Sequence, residues 1–149
     1  VNTETIKETI SNNAREASRL HAALHETARR RDESSEARDA WLRAVREFQE
    51  RYNDLAFPEG YDGALDRLLA GDALAMEAAI CFLELRPFFF HSGFMFKDLL
   101  RKSRKAPLST EQRLRLDAIE DAVVQWRKDK HSVDTVSSQT HSLRTDTHG

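Results

Sequence analysis

Residues 72–87 read DALAMEAAICFLELRP, and between Ala73 and Leu85 only Glu77 and Glu84 are polar. The apolar positions do not alternate as in a half-buried strand, and they run too long for a short buried one. A helix that is apolar around its whole circumference is buried on every side, so this segment belongs at the centre of a domain with other helices around it. Its ends are marked. Asp72 is a good N-cap, and Pro87 cannot donate to a helical carbonyl. Composition agrees: 34 Ala and Leu against ten Val and Ile favour helix over sheet. The fold class predicted for the 149-residue chain is all-α.

Upstream, Gly71 closes a short helix over residues 62–70 in the left-handed conformation, and Phe57-Pro58-Glu59-Gly60 reads as a loop. Before Phe57 there is neither Gly nor Pro, so only periodicity locates a break. Ile6, Ile10, Ala14, Ala17, Leu20, Leu24 and Ala28 form one helical stripe, opened by a capping box at Thr5 and Glu8. Ala37, Trp41, Val45, Phe48, Tyr52 and Leu55 form another with larger side chains. The two stripes lie about a third of a turn apart on one helical projection, so a single rod would aim them at different neighbours. A hairpin broken at Ser34-Ser35 is predicted instead, making residues 1–57 a helical hairpin.

Downstream, Ser92 is the expected cap of a fifth helix that buries Phe96, Leu99 and Leu100 and stops before Pro107. Ser109 with Gln112 is a capping box opening a sixth, with its stripe at Leu116, Ile119, Val123 and Trp126. From Ser132 onward the pattern ends: eight of the last 18 residues are Ser or Thr and three are apolar. Residues 132–149 are expected to be a disordered tail. About six helices result, the hairpin packing on a short-helix bundle over residues 58–131, for which a small orthogonal arrangement and a HEAT-like stack both fit. Residues 82–108 resemble stretches of uncharacterised helical proteins from bacteria, a likeness that names no family and transfers no functional residue.

A net charge of −2 and a pI near 6.3 give no global attraction to nucleic acid or to an anionic membrane. The lone Cys81 sits in an apolar run, where a thiol is a small buried hydrophobe. No apolar run approaches the roughly 18 residues of a membrane span, and the expected location is the cytoplasm. Enzyme motifs are missing: there is no Gly-rich phosphate loop, no Gly-x-Ser-x-Gly elbow and no Glu-x-x-His. His21 and His25, four apart, share a helix face but lack the third protein ligand of a zinc site, so no metal and no cofactor are expected. Glu77 and Glu84 share a face as well, where pairing with Arg86 or with an arginine of a neighbouring helix is the simplest account.

Two features remain. Lys97, Arg101, Lys102, Arg104 and Lys105 cluster near one helix C-terminus with Asp98 as the only acid, where the helix dipole favours cations. Phe88, Phe89, Phe90, Phe94 and Phe96 put five of the eight phenylalanines within nine residues. Three consecutive rings cannot all face one core, so some apolar surface must look elsewhere. The function expected is therefore a non-enzymatic module that binds a protein partner, or itself, through Arg86, Phe88, Phe89, Phe90, His91, Phe94, Lys97, Arg101 and Lys105. The alternative is a nucleic-acid-associated accessory protein using the basic face of the fifth helix, although no helix-turn-helix is present to read bases. Removing residues 132–149 is expected to leave the thermal midpoint nearly unchanged, since so little apolar surface is lost; a drop of several degrees in a calorimetric scan would show that the segment is docked.

Overall fold

In a computed structural model, six helices follow in order: α1 Thr3–Arg30, α2 Ser35–Ala56, α3 Ala64–Leu69, α4 Ala73–Leu85, α5 Ser92–Ser103 and α6 Thr110–Asp146. The structure describes the backbone of residues 1–146 and side chains up to His131, and no strand occurs among the described residues. The expected disordered tail, 132–149, lies outside the residues described in full.

Helix α4 holds the centre, as its composition requires. It packs against α1, α3, α5 and α6, and Ala78, Ala79, Ile80, Cys81 and Phe82 are all at 0% exposure. A single apolar cluster draws on every helix, from Ile6 and Ile10 of α1 through Ala56 of α2, Leu68 of α3 and Leu99 of α5 to Leu116 and Val123 of α6. The first two helices form the predicted hairpin, with Ser34 accepting from the Ala37 amide at 3.0 Å to start α2. Helix α1 begins earlier than its apolar stripe suggests: Asn2, not the Thr5 box, is its cap, accepting from the Thr5 amide at 3.0 Å. Helix α3 is shorter than residues 62–70, because Asn53 Oδ1 takes the Asp62 amide and the Tyr61 carbonyl takes that of Ala64, which holds those residues in turns. Gly71 is left-handed at φ 84°, and a Cβ there would come within 3.0 Å of the Pro107 ring, so both conformation and space select glycine. Asp72 caps α4 through the Ala75 amide at 2.9 Å. The capping box at α6 closes in both directions: Ser109 Oγ accepts from the Gln112 amide and Gln112 Oε1 from the Ser109 amide. Trp126 corrects the predicted α6 stripe. It stands 49% exposed, because the contact of α6 with the core ends at Val123.

The polar positions of α4 become a tie between the starts of α1 and α6. Glu77, 7% exposed, accepts from Thr3 Oγ1 of α1 at 2.8 Å, from Gln112 Nε2 of α6 at 3.0 Å, and from Arg115 Nη1 at 2.8 and 3.0 Å. The other terminal nitrogen of Arg115 reaches Glu84 at 2.5 Å, and Lys7 of α1 lies 3.4 Å from the same carboxylate. The arginine expected from a neighbouring helix is therefore Arg115. Burial pushes the Glu77 carboxyl upward, but the hydrogen bonds of Gln112, Arg115 and Thr3 and the charge of Arg115 outweigh it and hold the group at about 2, against an ordinary 4.5. A carboxyl depressed in the fold stabilises fully above its unfolded value, and that stability is lost as pH falls from there through the folded value. Glu77→Gln should therefore cost about 3 kcal/mol at pH 7, by leaving Arg115 partly unpaired. In acid titrations followed by circular dichroism, the variant should lose less stability than wild type between pH 4.5 and 2.

Candidate protein-binding surface

The link from α4 to α5 runs through two non-glycine residues with positive φ. Arg86, at φ 46°, is the C-cap of α4 and donates its amide to the Phe82 carbonyl, and His91, at φ 66°, precedes α5. Left-handed backbone is unfavourable for such side chains and persists only where surrounding contacts fix it. Those contacts are present. The Phe89 amide donates to Ser92 Oγ at 3.1 Å while the Ser92 amide donates to the Phe89 carbonyl at 2.9 Å, closing the turn from both sides. Ser92 is thus the first residue of α5 and not its side-chain cap, because its hydroxyl is spent on the loop. Ser18 of α1 donates to the Phe88 carbonyl at 3.3 Å, and Tyr52 of α2 donates to the Phe90 carbonyl at 2.6 Å.

With the backbone fixed, the consecutive rings diverge. Phe89 turns inward, at 6% exposure, against Phe82 with ring centroids 6.2 Å apart and against Tyr52 at the same distance. This removes Phe89 from the predicted surface set; its ring fills the core where the loop crosses α2 and α4. Phe88 turns outward and is 92% exposed, followed by Phe94 at 67%, while Phe90 is 39% exposed. Phe90 stacks on His21 at 4.7 Å and on His91 at 3.8 Å, and His91 meets Phe94 edge-on. Phe88, Pro87 and Leu85 face Ser11, Ala14, Arg15 and Ser18 of α1 across an open groove of about 360 Å³. On the other side of the loop the Arg86 guanidinium lies 4.4 Å from the Phe96 ring and 5.1 Å from that of Trp126.

The predicted basic residues divide. Lys97 is exposed one turn beyond Phe94. Arg101 pairs with Asp98 at 3.2 Å, and Arg104 with Glu120 of α6 at 2.9 Å. Lys105 is exposed in the turn that follows α5, at the opposite end of that helix from Phe94, so it does not join the aromatic group. Leu85, Ser18, Tyr52, His21 and Trp126 belong to the surface or to its support although sequence reasoning did not include them. Tyr52 and Trp126 lie on stripes that read as core, and no local signal couples Ser18 to a carbonyl 70 residues away. His21 is biased toward the neutral ring by partial burial and by the charges of His25 and His91. The Cys81 thiol is pushed up to about 11 by burial and by the Glu77 charge, which keeps it protonated and unreactive.

Comparison with known proteins leaves this geometry to speak for itself: no family model, no curated protein and no solved structure matches the chain. Among the described residues, no helix is long and apolar enough to cross a membrane. The packing predicts how four side chains divide in urea denaturation. Phe89→Ala should cost about 3 to 5 kcal/mol, whereas Phe88→Ala and Phe94→Ala should stay within about 0.5 kcal/mol of wild type. Tyr52→Phe should lose about 1 kcal/mol with the hydrogen bond to the Phe90 carbonyl.

Proposed function

We propose that the chain is a non-enzymatic helical interaction module that docks a protein partner, or a second copy of itself, through the rings of Phe88 and Phe94 and the groove beside Phe88. The observation that carries this reading is a phenylalanine ring 92% exposed on a loop whose backbone is hydrogen-bonded to α1, α2 and α5. An apolar ring in water gains nothing for the monomer, and a fixed ring gives up little conformational entropy when a partner covers it. Aromatic anchors with an arginine nearby are the composition of interface hot spots, and Arg15, which lines the groove, supplies the rim. The pairing of Arg101 and Arg104 with carboxylates favours this reading over phosphate binding along α5. The paired carboxylates of α4 and the protonated thiol give catalysis no assigned role in it. A single free, buried cysteine asks for no oxidising compartment, which fits the cytoplasm.

A photoreactive phenylalanine analogue placed at position 88 or 94 in cells tests the proposal. Discrete protein adducts are expected from both positions, above those from the exposed Glu36 at the start of α2, and they should persist at high salt because apolar contacts are not screened. Sedimentation of the purified chain tells a second copy from another protein. Adducts released by salt or by nuclease would transfer the function to nucleic-acid binding, and yields equal to those at position 36 would overturn the docking surface.

A further inference from the structure

We propose that His21 and His25 form a bidentate site for a divalent transition-metal ion of the kind that accepts imidazole, such as zinc, nickel or copper. The spacing of four on α1 projects both rings from one helix face, and their Nε2 atoms stand 3.2 Å apart. Two nitrogens separated by that distance, each at the ordinary zinc–imidazole length of about 2.0–2.1 Å, subtend about 103° at the ion, close to the tetrahedral angle. The helical spacing therefore allows the bite of a chelate, and the two rings already stand at it. A hydrogen bond between the two Nε2 atoms requires that one of them carry a proton. On binding, that proton moves to Nδ1 of the same ring through solvent, leaving two neutral imidazoles with both Nε2 lone pairs free for the ion.

The surroundings support the pair. His21 is oriented by ring contacts with Phe48, 5.5 Å away, and with Phe90, 4.7 Å away, so one ligand is fixed before the ion arrives. His25 is exposed, which leaves the ion open to water. Among the described residues no group of three or more His, Cys, Asp or Glu side chains is placed to hold a metal, so the remaining coordination positions stay available for exchangeable donors. The site adjoins the aromatic surface through Phe90, but it does not depend on that surface docking a protein.

Isothermal titration of the full chain with zinc chloride, paired with histidine-ring NMR spectra, tests the inference. Wild type is expected to show a saturable event that shifts the ring signals of His21 and His25. His25→Ala, at an exposed position where helical circular dichroism should be unchanged, should weaken that event at least about tenfold. His91→Ala, which removes a histidine of the same cluster outside the chelate, should leave it intact. A wild-type titration without a saturable event would overturn the site. So would a His25→Ala chain that binds zinc as tightly as wild type, or an equal loss in His91→Ala.

Discussion

The ion pair between Glu77 and Arg115 is the constraint around which the helices are arranged. A carboxylate on a helix buried on all sides has to be neutralised and hydrogen-bonded where it stands, and the donors come from the starts of the first and last helices: Thr3 of α1, and Gln112 and Arg115 of α6. Apolar packing alone would allow α1 and α6 to slide along α4 with small changes in buried area. Hydrogen bonds of 2.8 to 3.0 Å do not allow it, so the polar cluster sets the register that the apolar cluster stabilises. Gln112 takes part in the α6 capping box and in the Glu77 cluster at once, tying the start of that helix to the centre of the domain.

The loop between α4 and α5 applies the same logic at the surface. Its carbonyls are satisfied by Ser18 and Tyr52, and Phe89 supplies the apolar anchor, so the exposed rings on either side are consequences of where the backbone is held. Two left-handed non-glycine residues within six positions add a local cost that only such a set of contacts sustains. A flexible loop would bury Phe88 against its own chain. This one cannot.

Helix content, the centrality of α4, the hairpin and the capping box at Ser109 were legible because each rests on spacing or on a residue type with a local mechanism. The divergence of Phe88 from Phe89 was legible in kind, since adjacent side chains cannot share a face, but not in identity. Which ring turns inward depends on Phe82 of α4 and on Tyr52 of a different helix, and so on how the loop is laid across both. The same limit explains Ser92, whose cap-like position carried no sign that its hydroxyl would serve the Phe89 amide, and Trp126, whose periodicity continues past the point where α4 stops offering a surface. The pairing inside the basic run was half legible: Asp98 stands beside it in sequence, whereas Glu120 arrives from another helix.

The alanines of α4 carry a consequence for how this sequence is able to drift. Ala75, Ala78 and Ala79 are at most 3% exposed, in a helix that touches four others, so neighbouring helices approach close to its backbone. Substitutions there are limited by volume more than by polarity. An added methylene at a fully buried position has to displace packed neighbours, and the strain spreads over several helix contacts at once. Change at these sites is therefore expected to come in compensating pairs, a larger residue on α4 matched by a smaller one across the contact, whereas packing inside the fold sets no such limit on the exposed rings of the loop.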